Sequence, residues 1–349
     1  MEDSQGDTPM DTSATETFVP PSIHRDALLS GVSYTHYSPL PPRISPTGAP
    51  LTSDSSDQAT RDTAGQEEFI LGVDEAGRGP VLGPMVYAVF YLPKSLSDPL
   101  LRTTHRFDDS KVLTPAFRAS LMQTLCTPDD AAQDSLNASC GWAVNALSAR
   151  DISAGILRAD ATYNLNAQAA DATVTLIKGV LARGVNVREI YVDTVGPPAS
   201  YQAKLQRFFP AIKITVAKKA DSLYPCVSAA SVCAKVTRDV ALDVLYEPHR
   251  RPDEEEGAAA WGSGYPSDPK LVTWLRGNMH PVFGWGPECR QSWSTAKDLV
   301  EGRSGVKVDW PVDDDGETAR VTDYFGSADN KDGDELGTWY GTPAGLEAF

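Results

Sequence analysis

The chain has 349 residues, 47 acidic against 31 basic side chains, and a formal net charge of -16. No apolar run approaches the roughly 20 residues a membrane span needs, and five scattered cysteines without a C-x-x-C pair argue against a disulfide scaffold or a structural zinc site. An acidic excess of this size also weighs against nucleic acid, whose binders usually carry basic surface.

The charge is unevenly spread. Residues 1–65 carry net charge -6, residues 301–349 carry -8, and the middle, 66–300, carries only -2. The N-terminus, Met1 to Gln5, has no basic region followed by an apolar stretch, so no secretory leader is expected. Residues 1–65 are rich in Ser, Thr, Pro, Asp and Gly without sustained hydrophobic period, which predicts a disordered acidic tail. Phe69 to Asp74 and Met85 to Leu92 predict two strands. Thr114 and Pro115 supply an N-cap and first-turn proline for a helix to about Leu125. Ser139 to Leu147 predicts a third strand, and 150–183 a mostly helical stretch. Glu189 to Asp193 and Ala211 to Ala217 predict strands on either side of a helix over Ser200 to Phe208. A long helix follows from about Tyr224 to Tyr246, with shorter ones near 268–277 and 290–300. This pattern predicts an α/β fold, a mixed sheet covered by helices.

Three of these strands or their exits deliver acids: Asp74 with Glu75, Asp193, and Asp221. In sheets covered by helices, ligands gather at the carboxyl ends of strands. Four acids brought together there repel one another unless protons or divalent cations neutralise them. All-oxygen donors suit magnesium or manganese, and two such ions roughly 4 Å apart serve in-line attack on a phosphodiester. Gly77-Arg78-Gly79 follows the first acids directly. Its glycines permit a tight turn whose amides can meet phosphate or sugar oxygens. Alone, each acid reads as a solvated loop residue, and the turn as an ordinary one. The spacing of the phosphate loop of nucleotide triphosphatases is absent.

Taken together the motifs are specific. DEAGRGP over Asp74–Pro80, DSK over Asp109–Lys111, YVDTVG over Tyr191–Gly196, ADSLYP over Ala220–Pro225, SAASVCAK over Ser228–Lys235 and GSGYPSDP over Gly262–Pro269 occur in this order. Over about 66–300 the chain closely resembles the type 2 ribonuclease H family, in the form of the eukaryotic ribonuclease H2 catalytic subunits. The resemblance implies a ribonuclease H-like catalytic domain over 66–300, with a helical C-terminal part. It implies an endonuclease that cuts the RNA strand of RNA–DNA hybrids and incises 5′ of single ribonucleotides in duplex DNA, leaving 5′-phosphate and 3′-hydroxyl ends. It implies Asp74, Glu75, Asp193 and Asp221 as catalytic carboxylates holding two divalent cations, Mg2+ or Mn2+. Backbone groups of Gly77, Arg78 and Gly79 would meet the 2′ hydroxyl, the group that separates RNA from DNA. Tyr265 would stack on the sugar beside the cut. Lys111 and Lys235 would neutralise phosphates, with Ser110 and Arg238 as weaker phosphate candidates.

The small residues Ala229, Ala230, Ser231 and Ala234 predict close approach of the long helix to the sheet, and Cys226, Cys233 and Cys289 small structural positions. None of the five histidines falls in a motif. The resemblance further implies nuclear work in ribonucleotide removal and primer or R-loop processing, and a heterotrimer with two non-catalytic subunits, B and C. Within the acidic segment 301–349, Tyr324 and Phe325 form an aromatic island, from which we expect partner docking over 306–325. That island also faintly resembles a sliding-clamp-binding peptide without its leading glutamine. Two other readings compete: a non-catalytic nucleic-acid scaffold of the same fold, and a two-metal nuclease indifferent to ribose.

Overall fold

The computed structural model describes residues 18–42, 44, 67–108, 112–128, 135–158, 163–194, 196–252, 259–302 and 307. Six strands form one sheet in the order β1-β4-β3-β2-β5-β6. They are β1 (Tyr34–Tyr37), β2 (Phe69–Ala76), β3 (Met85–Pro93), β4 (Gly141–Leu147), β5 (Val187–Asp193) and β6 (Lys213–Ala217). The pairs from β1 through β4 and β3 to β2 are antiparallel, whereas β2, β5 and β6 run parallel. The expected mixed sheet with flanking helices is therefore present.

Strand alternation distributes β2 between two cores. Ile70 packs on the side of the long helix α8 (Pro225–Tyr246), while Leu71 and Val73 face α5 (Leu165–Ala182) and α6 (Pro198–Phe208). α8 approaches unusually closely. A Cβ at Gly72 would lie 2.3 Å from the backbone of Cys226. Ala229, Ala230, Ser231 and Ala234 are all buried on this helix, as their small size requires. Cys226, Cys233 and Cys289 are buried as well, and burial raises their thiol pKa values.

The remaining helices are short. α1 (Arg25–Leu29) lies against α8; α2 (Pro115–Cys126) and α3 (Leu136–Ser139) cover the α8 side. Thr114 caps α2 through the Phe117 amide, as its sequence predicts. α4 (Ala149–Ile156) precedes α5, so the helical stretch expected over 150–183 is two helices, each with its own side-chain cap at Ser148 and Asn164. α7 (Ala220–Leu223) leads into α8. α9 (Pro269–Gly277) and α10 (Ser294–Glu301) close a third core with Leu82, Tyr246 and Trp261.

The N-terminal boundary is a correction. Residues 18–42 fall inside the expected disordered tail, yet they carry α1 and β1. β1 pairs with β4 from Tyr34↔Ala146 to Tyr37↔Ala143 and forms one edge of the sheet. A four-residue strand shows little hydrophobic period, and this one gains its order from a partner more than 100 residues away. The expected docking segment 306–325 lies outside the described residues, apart from Lys307.

Candidate active site

Asp74 and Asp193 end adjacent parallel strands. Val73 of β2 registers with Val192 of β5, so the next residue on each strand is a carboxylate. Asp193 in turn registers with Ala217 at the end of β6, and the chain then turns through Lys219 into α7, which carries Asp221. The four expected acids thus gather at the carboxyl ends of β2, β5 and β6.

Their surroundings differ. Asp74 is buried beside α8, where Ser231 hydrogen-bonds to it. Glu75, one residue on, points to the other face and lines a cleft of about 280 Å³ with Asp193. Arg78, Asn166, Tyr201 and Lys204 line the same cleft. Each aspartate accepts a backbone N–H through Oδ1: Asp74 from Glu75 (2.7 Å), Asp193 from Ala220 (2.7 Å) and Asp221 from Ser222 (3.0 Å). These bonds fix the carboxylate orientations. Among the described residues, no three His, Cys, Asp or Glu side chains are drawn together as a ready metal cage.

Burial pushes the Asp74 carboxyl well above the usual carboxylate range, and the charges of Glu75 and Asp193 push it further. The hydrogen bond from Ser231 opposes that rise without cancelling it. A buried acid made hard to ionise by two acidic neighbours is a site that a cation would relieve. Oxygen donors alone supply it, which fits a hard divalent ion.

The glycine turn is held from beneath. Gly77 has φ +80°, and a Cβ there would lie 2.8 Å from the Pro84 carbonyl. Arg290 is fully buried and donates to the carbonyls of Gly77 (2.6 Å), Arg78 (2.9 Å) and Gly83 (3.0 Å). Trp293 Nε1 donates to the Gly79 carbonyl at 3.0 Å. Burial, then the charge of nearby Arg238, lower the Arg290 pKa to about 9. Sequence reading missed Arg290. No local pattern marks it, because its three acceptors lie more than 200 residues earlier.

Tyr265 is 41% exposed, so its ring is open to a ligand. Its ring lies over the turn: a Cβ at Gly79 would sit 3.4 Å from its Cε1. The Val81 amide bonds the Gly264 carbonyl at 2.8 Å and ties the two segments together. Arg238 is not placed as a phosphate ligand would be. It is only 4% exposed, bonds Asp239 and the Ser263 carbonyl, and has its guanidinium 5.9 Å from the Tyr265 ring centre. The small residues around it let α8 run under the turn, so its side chain becomes support. Lys235 is partly exposed and pairs with Asp239 at 2.7 Å. Ser110 and Lys111 lie outside the described residues.

Comparison with known proteins identifies the family of the chain. The family model for ribonuclease HII matches residues 71–296. The curated A subunit of ribonuclease H2 from Neurospora crassa is 57% identical, over 95% of this chain and 97% of its own. Its human counterpart of the same name is 42% identical, over 74% of this chain and 83% of its own. Among solved structures, ribonuclease H2 from Pyrococcus horikoshii superposes with a TM-score of 0.54 at 28% identity, covering 67% of this chain and 98% of that one. The chain belongs to the ribonuclease HII family, among relatives named as A subunits of ribonuclease H2, and is a ribonuclease H.

Proposed function

We propose that this ribonuclease H cuts the RNA strand of RNA–DNA hybrids and incises 5′ of single ribonucleotides in duplex DNA, leaving 5′-phosphate and 3′-hydroxyl ends. The observation that carries this reading is the placement of Asp74, Glu75 and Asp193 near the carboxyl ends of adjacent parallel strands, with Asp221 on α7 just beyond β6 and Asp74 destabilised as an anion. Divalent ions held there would supply an activated water and stabilise the leaving oxygen. A ribonuclease HIII structure that shares the fold is a complex with Mn2+, which supports manganese alongside magnesium. The chain's own part is orientation: Ala220 and Ser222 amides aim two carboxylates, and Ser231 holds the third.

Ribose recognition follows from the turn. Arg290 and Trp293 draw the carbonyls of Gly77, Arg78 and Gly79 to one side, which presents that turn's amides to another acceptor. The exposed Tyr265 ring beside them offers a flat surface for a sugar. A non-catalytic scaffold would not need four carboxylates, and a nuclease indifferent to ribose would not need this turn.

One assay separates the readings: a duplex containing one ribonucleotide beside an all-DNA duplex, with magnesium or with chelator. Cleavage only with ribose and metal is expected. Asp193→Asn should reduce it at least about 10³-fold with the melting temperature kept. Cleavage of all-DNA, or none by the complete assembly, overturns the reading.

The relatives' names as A subunits support a multi-subunit assembly, and we propose that its other members are two non-catalytic subunits, B and C. Docking through 306–325, with Tyr324 and Phe325 as anchors, is the expected contact. Normal assembly after deletion of 306–349 removes that role. We propose further that the enzyme works in the nucleus, in ribonucleotide removal and primer or R-loop processing, which fits the proposed substrates; a fluorescent fusion excluded from the nucleus argues otherwise.

A further inference from the structure

A second cleft opens beside Asp221. It has a volume of about 380 Å³ and is lined by Arg102, Arg106, Phe107, Asp108, Ser222 and Ser228, among others. Ser222 directly follows Asp221, and Ser228 Oγ donates to the Asp221 carbonyl. Arg102 is held at the edge of this cleft. One of its nitrogens lies 3.4 Å from Asp98 and another donates to the Leu223 carbonyl at 3.3 Å.

Arg106 carries the stronger signal. It follows the π-helical stretch Ser97–Thr104 with φ +54°, a left-handed backbone that side-chain-bearing residues adopt at a cost. Helix ends of this kind usually take glycine. Among the described residues the only other non-glycine in that region is Lys219, two residues before Asp221. Arg106 shares its cleft with Ser222, the residue after Asp221, and Lys219 precedes Asp221 by two positions. An arginine kept where glycine would relax the chain points to a use for its side chain. Two guanidiniums share the cleft with one carboxylate, Asp108, while Asp98 pairs with Arg102 at its edge.

We infer that Arg106, with Arg102 and Ser222, forms a phosphate subsite for the nucleic-acid backbone on the Asp221 side of the carboxylates. The inference rests on the proposed nuclease reading and extends it to how the duplex is gripped. The first cleft, with Arg78 and Lys204, and this one then flank the reacting bond. The contact reads phosphate and not sugar, so it serves hybrid and all-DNA duplex alike.

The test uses the full-length chain, free and with its partner subunits, made inactive by Asp193→Asn. Binding to an RNA–DNA hybrid and to all-DNA duplex is followed across salt concentrations. Arg106→Asn keeps a residue that tolerates the left-handed turn but removes the charge. It should weaken both duplexes several-fold and reduce the salt slope by about 1. Arg106→Lys should recover most of the slope. Arg106→Gly should lose binding as Asn does, yet melt at an equal or higher temperature. An unchanged slope in Arg106→Asn, or a lower melting temperature in Arg106→Gly, overturns the subsite. So does a thermal shift by inorganic phosphate alone that needs Arg106 while duplex binding does not. The parent reading fails separately, if the chain with native Asp193 leaves the hybrid uncut.

Discussion

Arg290 shows how much one buried residue can carry. Its planar fork meets three carbonyls of the glycine turn region at once, which a lysine cannot do from a single point charge. Arg290→Lys should therefore leave buried carbonyls unmet and destabilise the fold by about 2–5 kcal/mol. Thermal denaturation measures that loss. In the fraction that folds, discrimination between ribose and deoxyribose at the cut should fall, because the turn is no longer held. The four carboxylates were legible as a set through the ordered motifs, since alone each reads as a solvated loop residue. Arg290, and the supporting role of Arg238, were not. Both act through tertiary neighbours, and nothing in their local sequence says which way their side chains turn.

At the scale of elements, β1 is the informative case. His36 on this strand lies against Trp142, with its Nδ1 3.2 Å from His24 Nε2. Burial, then the charges of His24 and Arg183, lower its pKa to about 4. A histidine harder to protonate in the folded chain than in the unfolded one binds fewer protons when native. Stability should thus fall as pH drops through about 6.5 and on to about 4, where the effect saturates. The facing groups are His24, Arg183 and the neutral ring of Trp142, so no carboxylate offsets it in these contacts. Hydrogen exchange at the Tyr34–Tyr37 amides should rise over that pH window before exchange in β2 or β3. Equal rises in all three strands would contradict a local origin. β2, β5, β6 and α8 were legible because apolar runs mark them, with Pro225 in the first turn of α8. The π-helical stretch before Arg106 has only Leu100 and Leu101 as apolar side chains besides Pro99.

On the scale of the whole molecule, charge is partitioned. The segment 66–300 is nearly balanced at -2, and the two ends carry the rest. An acidic tail repels a phosphate backbone over about 8 Å at physiological salt. Removing 306–349 from the free chain should tighten duplex binding at low salt, with the difference fading as salt rises. A titration of binding against salt shows this, and equal curves with and without the tail would refute it. The deletion therefore has two separate readouts, formation of the proposed trimer and duplex affinity.

The sequence by itself determined the α/β class and the membership of the family, and it singled out the four carboxylates and the glycine turn as candidates, because these reside in local patterns and ordered motifs. It also located the negative charge away from the catalytic segment. Only the tertiary structure decided which groups support the turn, that Asp74 and Glu75 face different sides of one strand, and that residues 18–42 join the fold. Those outcomes depend on contacts between residues far apart in the chain, where burial and hydrogen-bond geometry, not local propensity, select the arrangement.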